Sequence, residues 1–462
     1  MKCAAYPSTY FAKTAMTIAR VVPQQRRQPT PIRFSLHPLA AALALSQFVV
    51  PALALADGIV HTVTTCNDAL VLPVCNGIDD GTLRQAFACA QDGDTVDLSN
   101  LLCSTITLSA PLTSGPVGLK VSGPGVDNLT ISAGNQFRAL VHNGRAGDTM
   151  YVYDLTIRNG SYDNPYTYLG GGGCIFSSGN VYLVSSNVTS CYTSSATTVA
   201  TGGAIFAKGA VSLLNTTVTG SSATGFADTK YAAARGGGIY ADTVNVNLSI
   251  VSGNTAASPT KKTYGGGIHA KHFNAKYSTI AGNIATSRAG VAATQSFMMT
   301  SSTISSNTAR DLDGGAHLDA GTAFLYNSTV AFNSAGVAGS TGGISAGALH
   351  LDSSIVARNT SAGVGADIGT VADGISGSHN LIMFGNVPLP ADTIVDDPRL
   401  GPLLLNGGLT PTHALLAGSP AIDSGSNPLE LEFDQRLERR QSLNEPDIGA
   451  FELDRIFGSG FD

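Results

Sequence analysis

Between residues 121 and 385 apolar side chains come in short alternating bursts, and no run keeps the rhythm of a helix. One phrase recurs. It opens on Ser, centres on β-branched residues and closes on Asn: Ser249–Asn254, Ser278–Asn283, Ser302–Asn307, Ser328–Asn333 and Ser354–Asn359. The apolar position three before that Asn aligns Ile157, Val188, Val218, Val251, Ile280, Ile304, Val330 and Val356, at spacings of 31, 30, 33, 29, 24, 26 and 26 residues. Glycine pairs punctuate the same stretch at Gly172-Gly173, Gly202-Gly203, Gly237-Gly238, Gly266-Gly267, Gly314-Gly315 and Gly342-Gly343. A unit of this length, with two or three strand-like runs, is one turn of a parallel β-solenoid.

Stacking such turns makes definite demands. Each strand pairs with the coil before and after it, and the aligned Ile/Val column becomes a thin continuous core. Asn254, Asn283, Asn307, Asn333 and Asn359 fall at one corner, where successive amides can bond as a ladder and the left-handed backbone is tolerated. Cys191 and Ser221 hold that position in earlier coils, so the ladder starts late. The glycine pairs mark another corner, where a positive φ or close coil approach excludes a Cβ. They are not a nucleotide loop, because no strand and helix flank them.

The ends read differently. Thr82 and Gln85 make a capping box, and Leu83, Ala86, Phe87 and Ala90 share one helical face. Gly93 stops that helix, and the strand Thr95–Leu98 follows. A short lid of this kind covers the open end of a solenoid. After residue 385 proline becomes frequent and the repeat stops, which marks a loop-rich cap. The resulting division is 1–56 signal peptide and extension, 57–120 N-terminal cap and first coil, 121–385 coils, 386–453 C-terminal cap and 454–462 exposed tail. The 1–56 reading rests on Arg26, Arg27 and Arg33 before an apolar run that ends in Ala54-Leu55-Ala56.

Composition narrows the function classes. Charged residues are 13% and the net charge is −6, with no basic footprint for DNA or RNA. No stretch of the mature chain is apolar for long enough to span a bilayer as a helix, and a monomer is expected. Cys66, Cys75, Cys89, Cys103, Cys174 and Cys191 remain after signal removal, an even count that favours disulfides in an exported chain. Neighbour pairing, 66–75, 89–103 and 174–191, is the simplest of 15 connectivities.

The segments Asp397–Leu403, Asn406–His413, Gly418–Gly425, Asp434–Arg436 and Pro446–Glu452 resemble, in order, the choice-of-anchor Q C-terminal domain of bacterial surface and secreted proteins. Gly81–Ala86 with Gly93–Val96 resembles, more loosely, the CSLREA-type start of the same class. The middle is similar to right-handed parallel β-helix proteins of the pectate-lyase-like superfamily and to polymorphic outer-membrane-protein repeats. These resemblances imply an all-β, right-handed, single-stranded β-helix, exported to the cell surface or beyond. They transfer no catalytic residue.

Candidate chemistry is sparse. Asp311, Asp313, His317 and Asp319 form the densest group, and alternation sets Asp311 beside Asp313 and His317 beside Asp319. They suit acid–base work on a polysaccharide or a calcium site, calcium being the one cofactor left open. Solvent-facing turn residues are the plainer reading. His269 and His272, among lysines, suit a carboxylated sugar, or a solvated basic face. Tyr162, Tyr166 and Tyr168 lie on an inserted loop and can stack on sugar rings. Motifs of the polygalacturonase kind are absent from the sequence. The expected role is therefore a non-catalytic, adhesin-like or glycan-binding surface protein. A polysaccharide lyase or glycoside hydrolase on an acidic polysaccharide is the alternative, and a structural spacer is the third.

Overall fold

A computed structural model describes residues 58–69, 75, 80–163, 171–226, 233–369, 371–440 and 445–453. Tyr166, Tyr168, the proposed signal segment and the 454–462 tail lie outside these residues.

The chain is a parallel β-solenoid. Among the described residues three sheets of 18, 11 and 12 strands run along it, and their pairing is parallel except where Thr360–Ser361 meets Val364–Gly365. Each coil visits the first sheet, then the second (11 strands), then the third, and returns. Val251, Ile280 and Ile304 are direct partners on three successive coils and are fully buried. Stacking of that column is what the repeat demands, because a one-residue slip would turn it outward.

Left-handed residues recur at the corners. Between the second and third sheets Gly253, Gly282, Ser306, Phe332 and Arg358 have φ between 58° and 64°. Each stands immediately before a ladder asparagine, so the turn strain falls on the preceding residue and the Asn side chain is left free to bond. Asn254 Nδ2 donates to Asn283 Oδ1 at 3.1 Å, and the chain continues through Asn307, Asn333 and Asn359 at 2.9, 2.9 and 2.8 Å. The corner between the first and second sheets carries a parallel ladder of hydroxyls. Thr216, Ser249, Ser278, Ser302 and Ser328 each donate a backbone N–H to the hydroxyl of the next coil, at 3.0 to 3.3 Å. Buried polar groups at both corners are therefore satisfied coil by coil.

At the N-terminal end a helix, Leu83–Cys89, buries Leu83, Ala86 and Phe87. Thr82 caps it, while the Gln85 side chain accepts from Asp80 N. The cysteines correct the neighbour pairing. Cys66 bonds Cys103 and Cys75 bonds Cys89, a nested pair, whereas Cys174 bonds Cys191. The lid folds back on the first coil, so Cys66 and Cys103 are 6.2 Å apart in Cα although 37 residues separate them. The 174–191 bond occupies the corner that asparagine fills in later coils.

Ile368, Val371, Val387 and Leu389 pack on the core at the C-terminal end. The hairpin Leu400–Leu404 with Thr412–Leu415 and the segment to residue 453 instead lie beside the second sheet. Ile355 and Leu381 meet Leu415, Ala421, Ile448 and Phe451 there. Gln435 bonds Thr279, Thr303 and Thr410, and His413 Nε2 lies 2.8 Å from Ser305 Oγ. The loop-rich segment is thus a lateral brace over several coils, not a plug on the last one. Among the described residues no helix is long and apolar enough to cross a membrane.

Candidate functional site

The third corner, from the third sheet back to the first, is where the chemistry gathers. Its left-handed position is Gly172, Gly202, Gly236 and Gly265 in four coils. In the next two coils it is Arg288 (φ 58°) and Asp313 (φ 57°). Four residues further on, the outward column of the first sheet reads Phe176, Phe206, Tyr240, His269, Ala292, His317 and Ser345 in register. The first four rings stack at 5.3 to 5.5 Å, each within 8° of parallel. Ala292 interrupts the stack and is itself fully buried.

His317 is the hub. Its Nδ1 lies 2.6 Å from Ser345 Oγ and 3.0 Å from Asp313 Oδ2, and its Nε2 lies 3.2 Å from Asp319 Oδ1. Ser345 Oγ is also 3.1 Å from Asp313 Oδ1. Arg288 pairs with Asp319 at 2.6 Å and lies 4.8 Å from the Tyr264 ring centre. Burial disfavours the imidazolium, but the hydrogen bonds to Asp313 and Asp319 outweigh it and raise the His317 pKa above its ordinary value. Burial likewise works against the Asp319 carboxylate, yet His317 and Arg288 hold its pKa below the usual range. Desolvation, then the charges of Arg235 and Arg288, push His269 down to about 3, so it is neutral.

A cleft of about 410 Å³ opens over Leu312, Asp313, His317, Asp319, Thr341 and Ser345. Its position follows from loop lengths. The third sheet of an earlier coil carries an insertion at 258–262, and a later coil carries another at 336–340, whereas Ile284–Ser287 and Thr308–Leu312 run to the corner without one. The floor is exposed where the walls are missing.

The structure separates some residues that spacing had joined. Asp311 is not beside Asp313, because the corner at Asp313 turns the chain; it bonds Arg310 at 3.2 Å on the exposed side. His269 joins the stacked rings of the outward column, whereas His272 Nδ1 meets Ser296 Oγ at 2.9 Å, where the neighbouring strand Val291–Thr300 carries an extra residue. Tyr162 packs 3.2 Å from the Arg138 guanidinium carbon, measured to its ring centre. Arg288 and Ser345 were invisible to motif reading. The usable signal was the loss of glycine at one phase of the repeat.

The arrangement offers an imidazole held between two carboxylates, and an arginine beside an acid that is 39% exposed. It can bind a polar, charged ligand and move a proton at Asp319 or Ser345. Among the described residues no group of three or more His, Cys, Asp or Glu side chains is gathered to hold a metal ion.

No family model matches the chain, and no curated protein matches it. A solved structure does: the crystal structure of pectate lyase Pel9A, with a TM-score of 0.50 over 87% of this chain and 98% of that one. The fold is that of the pectate-lyase-like parallel β-helix. Identity is 12%, so the likeness lies in the backbone and carries no side chain across.

Proposed function

We propose that the protein is exported and works outside the cell as an adhesin-like, glycan-binding β-helix. Its ligand sits in the cleft over Asp313, His317, Asp319 and Ser345, with Arg288 paired to Asp319. The observation that supports this most is the replacement of glycine by Arg288 and Asp313 at one corner of adjacent coils. The other two corners accept many side chains in the left-handed position. This corner holds glycine in four coils, then two charged residues that turn into a single cluster. A left-handed Arg costs about 1 kcal/mol or more over glycine, and such costs collect at working sites. Arg288, paired with the cleft residue Asp319, offers a guanidinium that suits the carboxylate of an acidic sugar. Three disulfides and the pectate-lyase-like fold accord with an extracellular protein.

The second reading is a polysaccharide lyase or glycoside hydrolase on an acidic polysaccharide. It is favoured by His317, whose pKa is raised, beside Asp319, whose pKa is lowered, a candidate acid and base lining one cleft. One experiment separates the two. The chain is offered acidic polysaccharides, and retained ligand, new reducing ends and unsaturated products are measured for wild type and for Arg288→Ala and His317→Ala. Binding without product, lost in Arg288→Ala, supports the binder; product formation lost in His317→Ala supports the enzyme. Neither binding nor product from any acidic polysaccharide sinks both and leaves the spacer.

A further inference from the structure

A second cavity, of about 520 Å³, opens beside the cleft. The two share Gly339, Ser340 and Thr341, so the insertion at 336–340 is a wall common to both. Beyond that wall the cleft draws on residues 312–319, whereas the cavity draws on 361–371 and 386–387 of later coils. It therefore lies about one coil further along, a step of ~4.8 Å, close enough for neighbouring units of one chain molecule.

Its chemistry differs from that of the cleft. Among the described residues no charged side chain lines it. Ile368 and Val371 are buried at its base, while Val387 is half-buried and Val364 stands exposed at the rim. Two of its hydroxyls are already engaged in holding the wall. Ser340 Oγ donates to Asp311 O at 3.1 Å, and Ser361 Oγ donates to Val337 O at 2.7 Å while accepting from Ser340 N at 3.1 Å. The Thr341 hydroxyl and the exposed Asn386 amide have no hydrogen-bond partner among the described residues.

A carboxylate placed here would lose water and meet no cation. A plain hexose is matched poorly too, because it carries a hydroxyl on most carbons and each buried one needs a partner. An acetamido group fits what is offered. Its methyl covers Ile368 and Val371, and the Asn386 amide, which both donates and accepts, serves its C=O and N–H. Resting on the reading of the cleft as an acidic-sugar site, we propose that the ligand alternates uronic acids with N-acetylated sugars. The acid occupies the cleft and the acetamide occupies this cavity.

Affinity electrophoresis of the purified full chain tests it with three polymers: polygalacturonate, and N-deacetylated hyaluronan re-acylated with either acetyl or carbamoyl groups. Carbamoyl keeps the shape and charge but puts NH2 in place of the methyl. Expected is retention roughly tenfold stronger on the acetyl polymer than on the other two. Val364→Asn and Asn386→Leu, both uncharged changes at exposed positions, each lower acetyl-polymer retention to the polygalacturonate level and leave polygalacturonate retention unchanged. Equal retention of the acetyl and carbamoyl polymers overturns the proposal. So does a preference that survives in both variants when their circular dichroism melts match wild type. Polygalacturonate retention, lost in Arg288→Ala, reports on the cleft alone. If no polymer is retained the cleft reading fails, and saturation transfer from the protein to methyl N-acetyl-β-glucosaminide decides the cavity. Transfer to the acetyl methyl that is lost in both variants upholds the acetamide site; no transfer overturns it.

Discussion

Asn359 Nδ2 donates to Asp367 Oδ1 at 2.8 Å, and Asn359 N donates to the same oxygen at 2.8 Å. An aspartate only eight residues on thus stands where the next coil's asparagine would. It ends the ladder, and its second oxygen accepts from Phe384 N at 2.8 Å. Burial pushes Asp367 up to about 6, with the hydrogen bonds from Asn359 and Phe384 opposing. The folded value lies above the unfolded one of about 4, so the native state binds this proton more tightly. Its contribution is fully present below about pH 4 and is lost as pH rises through about 6. The unfolding free energy from denaturant melts across that window should fall by roughly 1–3 kcal/mol. A flat profile in wild type would contradict this; Asp367→Asn should make the fall shallower, the rest coming from Glu452, which burial pushes up to about 8.

Asn307 sits mid-ladder. Removing its side chain strips the acceptor from Asn283 N and Nδ2 and the donor from Ile280 O. Asn307→Ala should cost about 2–4 kcal/mol in urea unfolding. Asn254→Ala, at the ladder's start, should cost less. Equal losses would show that the amides do not act as a chain.

Arg288→Gly restores the corner residue of four earlier coils. Relief of the left-handed arginine offsets loss of a half-exposed ion pair, so stability should stay within about 1 kcal/mol of wild type or rise. Retention on an acidic polysaccharide should fall sharply. Thermal unfolding and affinity electrophoresis measure the two sides. A destabilised protein that still binds fully would contradict the assignment.

His317 gives the cleft a pH signature. Its folded pKa is raised, so the stability it contributes is present below the unfolded value of about 6.5 and is lost as pH rises through the folded one. Nuclear magnetic resonance of the imidazole protons should report a midpoint above that of a free histidine, returning toward it in Asp319→Asn. A midpoint at or below the free value in wild type would refute the bracketing by two carboxylates.

Arg440 is fully buried beneath the brace, 3.5 Å from Glu452 and bonded to Gly449 O at 3.1 Å. Arg440→Ala leaves acidic groups buried without their cation, at a cost of about 3–5 kcal/mol. The loss should fall on the brace alone. Limited proteolysis should cleave first between residues 386 and 453 while the coils persist; uniform digestion would contradict a lateral brace.

The coils were legible because each one repeats a local rule. Alternation places Val251, Ile280 and Ile304 inward, and stacking adds nothing that the pattern lacks. The helical lid was legible for the same reason, since Thr82 and its apolar face are local features. The cleft was half legible. Asp313, His317 and Asp319 stand within seven residues, but Asp311 was grouped with them wrongly. The left-handed backbone of Asp313 itself turns the chain there, and alternation cannot foresee that.

The period, the core column and the asparagine corner followed from the sequence alone, because in a solenoid residues of equal rank meet by construction. What only the folded chain decided were relations across ranks: Arg288 against Asp319, His317 against Ser345, Cys66 with Cys103, and the C-terminal segment laid along the second sheet. Those depend on where corners turn and loops end, on distances of a few ångströms in directions that the repeat does not encode.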